Sequence, residues 1–184
     1  MPMGVGSDGE LREFTGQRFD AAKDLALSWP KEEIRFSAEA VIEQIMDRLH
    51  IEPIQVHADQ VSASEIQEVN RTGRDRFGDQ IPIFEQKITI QVPVSGEALL
   101  LAKRAKTWRH DAANIRVTER YVAFDLTRPS LTAEIINGHI DETAKRLVEY
   151  AGWINADLVE YEQVLRQVVT NAVNARKARC YATH

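Results

Sequence analysis

Apolar positions recur every three or four residues at both ends of the chain, and every two residues in its middle. From Glu10 to Trp29, the residues Leu11, Phe14, Phe19, Ala22, Leu25, Ala26 and Trp29 share one face of an amphipathic helix. Pro30 stops it. A charged link follows, and Ser37 is placed to cap a second helix carrying Ala40, Val41, Ile42, Ile45, Met46 and Leu49. That helix ends at Ile51-Glu52-Pro53, because a proline disfavours helical geometry at the residue before it.

The rhythm then changes. Residues 53–69 alternate in places and are rich in β-branched side chains, which predicts one or two short strands. Asn70 to Gln80 holds two glycines and five charges and reads as an exposed loop. Ile81 to Val94 is the clearest strand: Phe84, Gln86, Ile88, Ile90 and Val92 fall on one face, and Glu85, Lys87, Thr89 and Gln91 on the other. After a turn at Ser95-Gly96, Glu97 to Ala105 can continue as a strand, and Ile115 to Leu126 makes another strand or a hairpin. Helix returns after Pro129. The order helix, helix, strands, helix predicts an α+β fold with N-terminal helices, a small antiparallel sheet and a long C-terminal helix. The expected divisions are a flexible leader over 1–9, an α+β domain over 10–130, a long helix or helical hairpin over 131–180, and a tail over 181–184.

His139 to Cys180 contains no proline and one glycine, Gly152. Ile140, Ala144, Leu147, Ala151, Ile154, Leu158, Tyr161, Leu165, Val168, Ala172 and Ala175 step by four and three throughout. That is a heptad seam of the coiled-coil kind. A helix of about 40 residues is roughly 60 Å long, more than one small sheet covers. The seam therefore has two readings: packing on the N-terminal helices of the same chain, or association with a second copy or a partner protein. In the second reading Ile140, Leu147, Ala151, Ile154, Leu158, Tyr161, Leu165 and Val168 form the interface. Gly152 marks the expected bend. Asn155, beside the seam, is expected to face water.

Composition bounds the function classes. The 184 residues are 43% hydrophobic and 28% charged, as in ordinary globular domains. The net charge of -5 argues against a generic polyanion binder, although residues 71–128 hold eleven Lys/Arg against seven Asp/Glu. The single cysteine, Cys180, can form no internal disulfide and suits a reducing cytoplasm, the expected location. No apolar run approaches the roughly 20 residues that span a bilayer, so no membrane partner is expected.

Candidate chemistry is sparse. Lys103, Arg104, Lys106, Trp108 and Arg109 interleave cations with an indole, a pattern that pairs phosphates and stacks bases; nucleic acid is the alternative partner. Glu85 and Lys87 make the E-x-K fragment of restriction-type nucleases, in which the carboxylate ligates a divalent metal and the lysine orients water. That chemistry also needs an acid on a neighbouring strand, and Asp79 lies too close along the chain to supply it. The five histidines show no metal-ligand spacing, and no nucleophile elbow, phosphate loop or dinucleotide fingerprint occurs. No catalytic residue, metal site or cofactor is expected.

Three stretches resemble an otherwise uncharacterised bacterial family: "AVIEQIMDRLHIEPIQV", "VPVSGEALLL" and "GWINADLVEYEQVLRQVVTNAVNARKAR". The family pattern places I-E-P before the strands, V-P-x-x-G-(D/E) within them, and a tryptophan-led repeat on the long helix. Here that repeat is Trp153, Ile154, Asp157, Leu158, Tyr161, Glu162, Leu165, Arg176 and Lys177. The match covers about residues 38–179 and lapses around 103–128. In longer relatives this module precedes a restriction-endonuclease-like domain. The resemblance thus implies a non-catalytic assembly or recognition module of a nuclease- or defence-associated protein, and transfers no active-site residue.

Overall fold

Pro30, Ser37 and Pro53 divide the first third of the chain as their chemistry demands. In the computed structural model, which describes residues 3–5, 11–103 and 112–181, helix α1 spans Leu11–Ser28 and Pro30 follows it. The charged link winds into a short helix α2, Lys31–Phe36, which buries Ile34 and ends where Ser37 begins the next cap. The Ser37 hydroxyl accepts the Ala40 N–H at 3.3 Å and opens α3, Ala38–Leu49. The Trp29 indole donates to Glu33 at 2.8 Å, which fixes the angle between α1 and α2.

The middle of the chain is an antiparallel sheet built on one 16-residue strand, β5 (Gln80–Ser95). The other strands are β1 (Met3–Val5), β2 (Gln55–Val56), β3 (Ser62–Ala63), β4 (Gln67–Arg74), β6 (Ala112–Val117) and β7 (Tyr121–Arg128). Strand order is β1-β6-β7-β5-β2, and β3 and β4 also pair with β5. The chain from Gln55 to Arg74 therefore runs back along β5 in three pieces, while β7 holds the other edge from Gln86 to Pro93. Ile88, Ile90, Val92 and Val94 of β5 are buried with Val122, Phe124 and Leu126 of β7 on the inner face, following the alternation read in the sequence.

Helix α4 is one continuous element, Ala133–Tyr181, about 73 Å long, not a hairpin. It starts six residues before His139, since Ala133 to Gly138 extend the helix before the apolar repeat begins. It passes through Gly152 without interruption. Its early turns touch the sheet, where His139 meets Phe124 edge-on with ring centroids 5.4 Å apart. Farther along it packs against β2 and against α1, α2 and α3. Phe19 stacks on Tyr161 at 5.4 Å, the Tyr161 hydroxyl donates to the Leu49 carbonyl at 3.3 Å, and Arg166 forks onto the Glu43 carboxylate.

The buried stripe of α4 departs from the heptad reading at one informative place. Leu147, Ala151, Ile154, Leu158, Tyr161 and Leu165 are buried, but the stripe then continues through Val169 and Val173. Val168 and Ala172 are half-buried, and Ala175 is exposed. A straight helix repeats every 3.6 residues and drifts away from a strict 3.5-residue seam. This helix therefore packs as a straight helix on its own chain. The seam is covered from within, so it offers no unoccupied apolar interface from Leu147 to Leu165; Ile140, at its start, is half-buried.

Four other expectations are corrected. Met3–Val5 pairs with β6, within the stretch read as a flexible leader. Asn70 to Arg74 belongs to β4, because the β5 edge supplies a ladder for it; only residues 75–79 form the turn. Residues 98–102 form a 3-10 helix, not a strand, since Gly96 turns the chain at φ +78° and the run that follows is apolar without alternation. Asn155 is turned toward the protein: its side-chain oxygen accepts the Ile54 N–H and its amide donates to the Ile54 carbonyl, both at 2.9 Å.

Candidate docking surface on a projecting ribbon

Strand β7 ends at Arg128, opposite Gln86. Beyond that point β5 keeps only β4 as a neighbour among the described residues. Gln80 to Glu85 and their partners Val69 to Arg74 thus stand clear of the sheet as a two-stranded ribbon, roughly 20 Å long. The turn that closes it is firmly made. Asp75 accepts the N–H groups of Phe77 (2.8 Å) and Asp79 (3.0 Å) on one carboxylate oxygen, and Gly78 takes φ +92°, which favours glycine.

The ribbon is exposed on both faces. Phe77 at the tip is 74% exposed and carries the Arg76 guanidinium 4.7 Å above its ring. Phe84 is 69% exposed, because it continues the core face of β5 past the last residue that any helix covers. Val69 and Ile81 are exposed on the opposite face. Isolated two-stranded ribbons are marginal in water, so these apolar groups lack the third layer that normally supports them.

The direction of the ribbon's free edge follows from its hydrogen bonds. The Asp75 N–H donates to the Asp79 carbonyl at 2.9 Å, so residue 75 points its backbone toward β5. Alternation then directs Val69, Arg71 and Gly73 inward as well. The backbone N–H and C=O groups of Glu68, Asn70, Thr72 and Arg74 face outward, along an edge to which no described strand pairs.

At the ribbon's base the outer face is polar and internally matched. Arg71 grips Glu85 through two hydrogen bonds, 2.8 and 3.1 Å. Asp125 of β7 receives Lys87 at 2.9 Å, Arg116 at 2.8 Å and the Thr89 hydroxyl at 2.7 Å. Burial raises the Asp125 pKa and is its largest single influence. The bonds from Lys87 and Thr89, with the charges of Arg116 and Lys87, outweigh it and hold the carboxyl below the usual range. Val69, Arg71, Glu85, Lys87, Thr127 and Arg128 line a shallow open depression here.

Asp125 is the neighbouring-strand acid that the Glu85/Lys87 reading lacked. Its only sequence signal was its polar position in the alternation of β7. The geometry nonetheless opposes metal hydrolysis. Glu85 is occupied by Arg71, and Asp125 by Lys87 and Arg116, so a divalent ion would have to displace bound cations from both carboxylates. Among the described residues no three His, Cys, Asp or Glu side chains cluster as a ligand set.

Of the expected nucleic-acid patch, Lys103 ends the 3-10 helix, and its carbonyl accepts the Tyr150 hydroxyl at 2.5 Å. Arg104, Lys106, Trp108 and Arg109 lie outside the described residues. No helix among the described residues is long and apolar enough to cross a membrane.

The motifs behind the family resemblance meet at one place. Glu97 donates its backbone N–H to the Glu52 carbonyl at 3.1 Å, Gly96 lies against Pro53, and Asn155 holds Ile54. All three contacts are structural joints between the sheet, the segment before β2 and α4. No family model, no curated protein and no solved structure matches this chain.

Proposed function

We propose that this protein is a non-catalytic assembly module that docks other protein through the ribbon of β4 and β5. The observation that carries the reading is the ribbon itself: apolar side chains bared on both faces of two strands that have left the sheet. Monomers keep such patches small and break up long open edges. The long helix, first candidate for this role, spends its apolar stripe within the chain and serves as the spine that holds the sheet and the N-terminal helices together. The motif resemblance supports placing this assembly beside a bacterial nuclease or defence component. The single, buried thiol of Cys180 supports a cytoplasmic setting.

Sedimentation velocity on the full chain, with Phe77→Ser/Phe84→Ser as comparison, tests the reading. Association that weakens in the double variant, together with no cleavage of labelled DNA in magnesium, supports it. Magnesium-dependent cleavage, or salt-sensitive oligonucleotide binding by a strictly monomeric chain, contradicts it.

A further inference from the structure

We propose that the partner of the ribbon is a second copy of this chain, joined by antiparallel pairing of β4 with its counterpart about a two-fold axis at Arg71. The inference rests on the assembly reading and names the occupant of the edge. Its basis is that the free edge of β4 is complementary to itself.

Glu68, Asn70, Thr72 and Arg74 present their backbone groups outward, so an added strand must form its hydrogen-bonded pairs with these four. Only a register centred on Arg71 engages all of them in a two-fold arrangement. It sets Glu68 opposite Arg74 of the second copy, Asn70 opposite Thr72, and the same pairs again by symmetry. The four side chains lie on one face of the ribbon, so each Glu68 meets an opposite charge directly across the new ladder. Registers shifted by one step place Asn70 or Thr72 on the axis and leave one end of the edge unpaired.

The residues on the axis are compatible. Two copies of Arg71 would face each other, but each is already neutralised by its own Glu85 at 2.8 Å. Val69 falls opposite Gly73, over which the Ile83 side chain of β5 already lies, so the valine would pack against that isoleucine. Strand β4 contains no proline and no interruption of register over its eight residues, and its three charges, Glu68, Arg71 and Arg74, are matched rather than repelled in this register. Pairing would extend the sheet continuously through both molecules.

Sedimentation equilibrium on the full chain, from micromolar to about a hundred micromolar, tests this. The wild type should dimerise. Glu68→Arg and Arg74→Glu should each weaken dimerisation by about tenfold, since each puts like charges opposite one another twice per dimer. The double variant Glu68→Arg/Arg74→Glu should restore the wild-type constant. Thr72→Pro, which removes an outward N–H without touching the bonds to β5, should also weaken the dimer, with circular dichroism confirming the fold. A dimer insensitive to all four changes overturns the edge pairing and leaves an assembly module that uses another surface. A monomeric wild type overturns the edge pairing outright. A monomer that binds a duplex oligonucleotide and loses it in Arg74→Glu overturns the assembly reading as well.

Discussion

Asn155 and Ile54, 101 positions apart, are joined by two hydrogen bonds of 2.9 Å, one in each direction. A carboxamide on α4 thereby imitates a neighbouring strand and satisfies both backbone groups of a buried residue. Asn155→Leu should cost about 2–4 kcal/mol in urea unfolding, because it strands a donor and an acceptor away from water. A loss below about 0.5 kcal/mol would show that the contact contributes nothing.

Gly96 and Gly152 should respond to alanine in opposite directions. At Gly96 a Cβ would lie 2.1 Å from the Pro53 carbonyl oxygen, at a backbone φ of +78°. Gly96→Ala should therefore destabilise by more than about 2 kcal/mol. At Gly152 a Cβ meets nothing within 4 Å, on an exposed helical face. Gly152→Ala should stabilise by up to about 1 kcal/mol. Thermal melts of the two variants decide, and a shift in the same direction would contradict the geometry.

Neighbouring valines distinguish a straight helix from a coiled-coil seam. Val169 is fully buried and Val168 half-buried. Val169→Asp should cost several kcal/mol, as an unpaired buried charge does, and Val168→Asp about 1 kcal/mol or less. Chemical denaturation measures both. The reverse order would restore the 3.5-residue repeat.

Tyr161 supplies the pH signature of the helical interface. Burial pushes its pKa up to about 12, with Glu162 adding to the rise and Arg18 opposing it. A raised folded-state pKa means the associated stability is complete below the unfolded value, about 10, and is lost as pH rises toward 12. Absorbance titration should show a tyrosine ionising near pH 12 that Tyr161→Phe removes. A Tyr161 midpoint near 10 would mean that its ring is wetted.

Helices α1, α3 and α4 and strand β5 were legible because their periodicity is long and their stops are chemical, at Pro30, Ser37 and Pro53. The short α2, Lys31–Phe36, read as a charged link because six residues show too little periodicity. The ribbon was not legible. Asn70 to Arg74 has the composition of a loop, and it is a strand only because β5 extends past β7 and offers an edge. The inward turn of Asn155 was equally hidden, since its partner is backbone brought up from 101 residues away. Asp125 could have been noticed as the charged position in an otherwise apolar alternation. Its meeting with Lys87 depends on the register between β5 and β7, which no local pattern encodes. The heptad reading failed only after Leu165, where the accumulated drift between repeats of 3.5 and 3.6 residues moves the buried position from Val168 to Val169.

A disulfide placed on the two-fold axis reads the edge pairing itself. In the paired ribbons residue 71 faces its own copy at a non-hydrogen-bonded position, where Cα atoms lie about 4.5 Å apart, within reach of a disulfide. The one native thiol, Cys180, is buried and does not compete. Under mild oxidation Arg71→Cys should convert to a covalent dimer on a non-reducing gel, whereas Glu68→Cys, whose counterpart across the axis is Arg74, should not. Equal cross-linking at both positions, or none at residue 71, would contradict the account.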